Sequence, residues 1–149
     1  MSIYIYLFKD KIFYEDNFMK SERLERGTKI INELMEGGDQ GVIKGLGKVA
    51  PDLGNYVLEF VFGDLYHRSG FDLKTKQILT VTILATLGNA KPQLAYHINC
   101  ALNIGITRQE IIDIMTHIAG YAGFPAALNG TATAKEVFAE RDQKGLDNP

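Results

Sequence analysis

The chain has 149 residues, of which 46% are hydrophobic and 23% charged, the composition of an ordinary globular domain with one hydrophobic core. Its formal net charge of −2 gives no reason to expect a nucleic-acid or membrane-surface partner. The single cysteine, Cys100, excludes a disulfide, a Cys-x-x-Cys redox pair and a cysteine zinc site within this sequence, and a cytoplasmic location is the simplest interpretation. No apolar run approaches the roughly 18 residues that a membrane-spanning helix needs.

The first twenty residues differ in pattern from the rest of the chain. They begin with alternating isoleucine and tyrosine, and helical periodicity starts only after Met19. We interpret residues 1–20 as an N-terminal extension, with an edge strand as the alternative. A signal peptide is disfavoured because the segment lacks a basic start and a small-residue cleavage site. The domain is then expected over residues 21–142, followed by a polar tail, residues 143–149.

The first half of the domain is predicted to be helical. Ser21 is the expected N-cap of a helix that ends before two glycines at about residue 36. A short helix and then a longer one, over about 52–67, follow. Gly54 and Gly63 interrupt the longer helix, and each predicts close packing or a bend.

The second half is also predicted to be helical. The segment 72–87 is apolar nearly all round, which is typical of a central, buried helix. Further helices are predicted over 92–103, after a capping box at residues 107–110, and over 125–141. The predicted fold class is therefore all-α.

His97 is the most informative residue of the helix 92–103. It shares the apolar register of Leu94 and Ala101, with Gln93 one turn before it and Cys100 just under one turn after it. A partly desolvated imidazole there can titrate near neutral pH and move a proton. A core histidine bonded to a backbone carbonyl is the alternative. Cys100 is more simply a buried, inert side chain than a reactive thiol.

Arg68 and His117 are two further polar residues for which a functional and a structural interpretation are both open. Arg68 lies at the end of the helix 52–67, where it can bind a carboxylate, complement the helix dipole or pair with Asp64. His117 lies four residues after Asp113 and four before Tyr121, so the three share one helical stripe. We favour a surface or interface position for His117 over an orientation set by Asp113.

Three segments together resemble the carboxymuconolactone decarboxylase family. They are residues 62–70 (FGDLYHRSG), 93–110 (QLAYHINCALNIGITRQE) and 121–129 (YAGFPAALN), within a resemblance that covers about residues 22–140. The resemblance implies an alkylhydroperoxidase D-like orthogonal helical bundle that assembles as a homotrimer or homohexamer. It also implies decarboxylation of a small carboxylated lactone, with neither cofactor nor metal, in aromatic-compound catabolism.

The resemblance also implies a set of site residues. His97 would protonate carbon, Arg68 would hold a substrate carboxylate, and Tyr121 would stabilise the developing enolate oxygen. The expected substrate-binding side chains are Gln93, Phe62, Phe124 and His117.

The chain departs from the alkylhydroperoxidase D branch of the superfamily. The two cysteines of that branch would fall at Ala90 and Gln93, and its glutamate would fall near Gln77 or Ile78. A thiol peroxidase reaction through that pair is therefore excluded. The alternative functions are another antioxidant role of the alkylhydroperoxidase or peroxiredoxin type, and a non-catalytic oligomeric protein.

Overall fold

A computed structural model of the chain describes residues 21–47 and 49–146. The expectations for residues 1–20 and for the end of the polar tail lie outside the described residues. Within them the chain is all-α, as predicted, and forms an alkylhydroperoxidase D-like bundle. The helices are α1 (Glu22–Leu34), α2 (Gly38–Leu46), α3 (Pro51–Tyr56), which continues as a π-helix (Val57–Leu65), α4 (Leu73–Leu87), α5 (Lys91–Asn103), α6 (Arg108–Tyr121) and α7 (Phe124–Lys144).

Side-chain caps set where several helices begin. The Ser21 hydroxyl accepts a hydrogen bond from the amide of Leu24, as the predicted N-cap of α1 should. Asp72 caps α4 in the same way. The predicted capping box at the start of α6 is confirmed, because Thr107 and Glu110 each accept a hydrogen bond from the other's backbone amide. Such caps contribute about 1 kcal/mol each.

The π-helix packs directly against α1. Its i→i+5 pattern is continued by the amide of Tyr66, which donates to the carbonyl of Val61 at 2.9 Å. A Cβ atom added at Gly63 would lie 2.2 Å from the carbonyl oxygen of Arg23. The close packing predicted at Gly63 is therefore confirmed, and at this position it excludes any side chain.

Two hydrophobic cores meet on α5. The first lies among α4, α5, α6 and α7, and its fully buried members include Val81, Ile98, Ala101, Ile111 and Ala134. The second joins α1, the π-helix and α5, and it contains Ile31, Leu34, Leu58, Phe62, Tyr66 and Cys100. Because α5 contributes to both cores, its position is held from two sides.

Helix α4 is less enclosed than its sequence predicts. Gln77, Val81 and Ala85 are buried on one face, whereas a stripe formed by Leu79, Ile83 and Leu87 is exposed. The prediction of a helix buried all round is therefore wrong for the single chain. The reason is geometric: α5, α6 and α7 cover only one side of α4.

The last helix differs slightly from its prediction. Helix α7 ends at Lys144 rather than at Arg141, and Gly145 then adopts a φ of +65°, which favours glycine. Gly145 sets this end, because its backbone amide donates to the carbonyl oxygens of Arg141 and Asp142, while the buried Arg141 side chain donates to the side-chain oxygens of Asn99 and Asn103. In the described part of the chain, no helix is both long and apolar enough to cross a membrane.

Candidate active site

His97 is held on α5 by the core on either side of it. Leu94, Ile98 and Ala101 are buried, so the ring that shares their register is partly buried as well. The His97 Nδ1 atom lies 3.1 Å from Oε1 of Gln77 on α4. The alternative of a histidine bonded to a backbone carbonyl is therefore wrong, because the partner is a side-chain amide.

Burial decides the charge of the His97 ring. It lowers the pKa of His97 to about 4, because the charged imidazolium loses its hydration. The ring is then neutral at neutral pH. Because the atom of Gln77 near Nδ1 is a carbonyl oxygen, Nδ1 donates and Nε2 carries the lone pair. Among the described residues, nothing forms a hydrogen bond with Nε2.

Gln77 is the residue that the sequence reasoning missed. It is completely buried on α4, although glutamine is usually exposed. The only signal in the sequence was its position near that of the glutamate of related peroxidases. Periodicity could not find it, because α4 is apolar on nearly every side.

Arg68 is exposed on the turn that follows the π-helix. Its expected alternative partner, Asp64, instead pairs with Arg23, whose Nη2 lies 2.6 Å from Oδ2 of Asp64. In the chain as described here, the Arg68 guanidinium forms no ion pair, so it is available to a carboxylate. Lys76 anchors the turn by donating to the carbonyl oxygens of Tyr66 and Arg68.

The residues expected around the α6–α7 junction lie on the surface of the chain. Tyr121 and Phe124 are 85% and 70% exposed. The His117 ring stacks on Tyr121 with the ring centroids 4.8 Å apart, and it is exposed, as we favoured. Asp113 accepts a hydrogen bond from Gln109 at 2.9 Å, and within the described residues it forms no hydrogen bond or ion pair with His117.

The two remaining residues expected to bind substrate lie in different environments. Phe62 is 2% exposed and packs against Tyr66 in the core, with the ring centroids 5.3 Å apart. Its conformation is therefore explained by packing. Gln93 is exposed at the start of α5, one turn before His97.

Helix α4 links Arg68 to His97. Lys76 holds the turn that carries Arg68, and the next residue, Gln77, holds the ring of His97. The two α4 positions are about 100° apart around the helix axis. Between Tyr121 and either Arg68 or His97, the described chain forms no hydrogen bond or ring contact. Among the described residues, no hydrogen bond or ring contact joins Arg68, His97 and Tyr121, which lie on the turn before α4, on α5 and at the end of α6.

The described side chains do not favour thiol or metal chemistry. Cys100 is fully buried, and burial raises the pKa of its thiol to about 12, so almost no thiolate forms at neutral pH. The prediction of a buried cysteine is confirmed. No group of three His, Cys, Asp or Glu side chains within the described ranges could hold a metal ion.

The chain is similar to known decarboxylases over most of its length. The model of the carboxymuconolactone decarboxylase family matches residues 51–136. The chain is 28% identical to 4-carboxymuconolactone decarboxylase of Acinetobacter baylyi over 120 residues, which are 78% of this chain and 87% of that protein. It is also 28% identical over 132 residues to an uncharacterised 15.0 kDa protein of Paracoccus denitrificans, covering 87% and 98% of the two chains. Nitrosuccinic acid decarboxylase of Metarhizium robertsii is 28% identical over 90 residues, covering 60% and 62%. The family match spans the π-helix, Gln77 and His97, and this chain belongs to the carboxymuconolactone decarboxylase family.

Proposed function

We propose that this protein is a carboxy-lyase that removes CO2 from a small carboxylated lactone, γ-carboxymuconolactone or a related acid, in aromatic-compound catabolism. The observation that carries the proposal is the His97 ring, which is anchored at Nδ1 and has no hydrogen-bond partner at Nε2 among the described residues. Two of the relatives named above are called decarboxylases of small organic acids. The availability of the Arg68 guanidinium for an anionic substrate adds to this support.

The proposed reaction needs no cofactor because the substrate supplies its own electron sink. When the carboxylate leaves as CO2, the electron pair of the broken carbon–carbon bond delocalises into the lactone carbonyl and forms an enolate. Carbon must then receive one proton to give the product. The protein has to bind the carboxylates, stabilise the enolate oxygen and deliver that proton.

Each of these tasks has a candidate side chain. Arg68 offers a fork of donors that matches a carboxylate. Tyr121, or the backbone amides near Gly123, would stabilise the enolate oxygen. His97 would deliver the proton through Nε2. Gln93, Phe124 and His117 would line the path of the substrate. Because Tyr121 and Phe124 lie on the surface of the single chain, their part in the site depends on how copies of the chain assemble.

The direct test is CO2 release from γ-carboxymuconolactone by the purified protein. We expect turnover by the wild type and a loss of about 10²–10⁴-fold in kcat for His97→Ala, the typical contribution of a general acid. Arg68→Ala should mainly raise KM. His67→Ala removes an exposed histidine outside the proposed site and is the matched control. The substrate assignment is wrong if the wild type releases no CO2, and the role of His97 is wrong if His97→Ala keeps full activity.

A further inference from the structure

The contact between Gln77 and His97 leaves half of a buried amide unsatisfied. Oε1 of Gln77 bonds to His97, but Nε2 of the same amide is buried and, among the described residues, has no hydrogen-bond partner. A buried donor without a partner lowers the stability of the fold. A methionine of the same length would remove that unpaired donor, but it would also leave Nδ1 of the buried His97 ring without its partner. The glutamine is therefore explained by its contact with His97 and not by packing alone.

We propose that Gln77 is a positioning residue for His97, which holds the imidazole as the Nδ1–H tautomer and so keeps the Nε2 lone pair available to the substrate. The inference rests on the proposed function for its chemistry, but its geometry does not depend on which acid is the substrate. A histidine whose second nitrogen is anchored in this way has one ring orientation and one tautomer.

The neutral charge of the amide matters as much as its hydrogen bond. A carboxylate at this position would raise the pKa of His97, whereas Gln77 leaves the ring uncharged until another anion approaches. The ionisable groups of the neighbouring elements do not take that role. Tyr66 bonds to Thr80, Lys76 bonds to backbone carbonyls, and Arg141 bonds to asparagines. Tyr96 and Cys100, on α5 itself, both have pKa values raised by burial.

The substrate would then supply the charge that protonates His97. A carboxylate bound within about 4–6 Å raises the pKa of a neighbouring cation by about 1–3 pH units. His97 therefore takes one proton from solvent as the anionic substrate binds. After CO2 leaves, the same proton passes from Nε2 to carbon, and the ring returns to its neutral state. In this scheme the proton is loaded only when substrate is present.

The tautomer can be measured without turnover, by nitrogen-15 NMR of the histidine rings in the full chain. We expect wild-type His97, assigned by comparison with His97→Asn, to be the Nδ1–H tautomer at neutral pH. Gln77→Met should release a mixture with the Nε2–H tautomer, because Nδ1 loses its acceptor. Gln40→Met makes the same change at an exposed position on α2 and should leave the His97 signals unchanged.

A second variant, Gln77→Glu, tests the role of charge and keeps the proposal testable if Gln77→Met does not fold. Gln77→Glu keeps an acceptor at Nδ1 but adds a negative charge, so the titration midpoint of His97 should rise by about 1–3 pH units. The proposal is overturned by an unchanged tautomer in Gln77→Met or by an unmoved midpoint in Gln77→Glu. If these results hold but no lactone is turned over, the proposed function fails and the positioning role stands.

Discussion

The His97 ring shows how burial sets the charge state of a titratable side chain. Leu94 and Ile98 hold its helix in the core, and among the residues that the structure describes the polar partner of the ring is the uncharged amide of Gln77. The resulting low pKa means that Nε2 of His97 does not carry a proton at rest. A role as proton donor, which the family resemblance implies, therefore requires that Nε2 gain a proton when the substrate binds.

The pKa of His97 should make folding stability sensitive to mild acid. Histidine in an unfolded chain has a pKa of about 6.5, and burial lowers the pKa of His97 in the folded chain to about 4. Between these pH values the unfolded state binds more protons than the folded state. The contribution of His97 to the free energy of unfolding is therefore largest above about pH 6.5 and falls as the pH drops towards 4. The loss should be about 2–3 kcal/mol.

Urea denaturation at several pH values measures this effect, with His97→Gln as the comparison. As the pH is lowered from about 6.5 to 4, the variant should lose much less stability than the wild type. The carboxyl groups of Asp72 and Glu110, whose pKa values are lowered by hydrogen bonds from the side chains and backbone of Thr75 and Thr107, lose their stabilising contribution as the pH falls below their ordinary pKa values, and they do so equally in both proteins. Equal pH dependence in the two proteins would contradict the burial of a neutral His97.

Cys100 should be unreactive in the folded protein. Its thiol is buried, and the difference between a pKa of about 12 and that of a free cysteine lowers the thiolate fraction by roughly 10³ at neutral pH. Alkylation by iodoacetamide should therefore be slow in buffer and fast in urea, where the chain unfolds. Fast alkylation of the folded protein would instead support a thiol-based function.

At the scale of the elements, the contact between α1 and the π-helix depends on two glycines. A Cβ atom at Gly27 would lie 1.9 Å from the carbonyl oxygen of Leu58, and Gly63 is equally close to α1. The two backbones touch, and the ion pair between Arg23 and Asp64 spans the same contact at the surface. This contact positions the turn that carries Arg68.

Replacing Gly63 with alanine should therefore damage the fold. The added methyl group would overlap the backbone of α1, and because backbone cannot move aside as a side chain can, we expect a loss of about 3 kcal/mol or more. Gly41→Ala is the matched control, since nothing lies within 4 Å of the added atom. That control should gain about 0.5–1 kcal/mol from helix propensity. Thermal unfolding of both variants tests the contrast, and a Tm for Gly63→Ala equal to that of the wild type would refute it.

At the scale of the whole molecule, a single copy of the chain leaves much apolar surface in water. Leu79, Ile83 and Leu87 form one stripe along α4, and the aromatic rings of Tyr121 and Phe124 are also exposed. Exposed apolar stripes of this kind mark interaction surfaces more often than free surface. We expect a homo-oligomer, a trimer or hexamer, in which copies of the chain cover these residues.

Light scattering measures the assembly directly. The wild type should have a mass several times that of one chain, and Ile83→Asp should lower it by placing a charge in an apolar interface. Lys29→Gln changes the net charge by the same amount at an exposed position on α1 and should keep the wild-type mass. A monomeric wild type would rule out the expected assembly.

Local patterns were sufficient to predict the helices of this protein. N-caps, glycines and apolar periodicity act over a few residues, so Ser21, the box at Thr107 and Glu110, and the close packing at Gly63 could all be read from neighbouring positions. The position of His97 on a buried face followed from the same periodicity. The end of α7 was less accurate, because the helix continues beyond Arg141 to the cap at Gly145.

The tertiary structure alone decided the partners of the site residues. Gln77 and His97 are twenty positions apart and on different helices, and no local pattern indicates that the two side chains meet. Asp64 was a plausible partner for Arg68 by sequence spacing. Because α1 packs on the π-helix, Asp64 instead forms an ion pair with Arg23. The exposed stripe of α4 could not be predicted either, because periodicity shows which residues are apolar and not which faces of a helix are covered. The sequence by itself determined the helices, the apolar register and the position of His97 within it, since those depend on nearby residues. Charge state, tautomer and exposure depend on which helices pack together, and they were decided only by the folded chain.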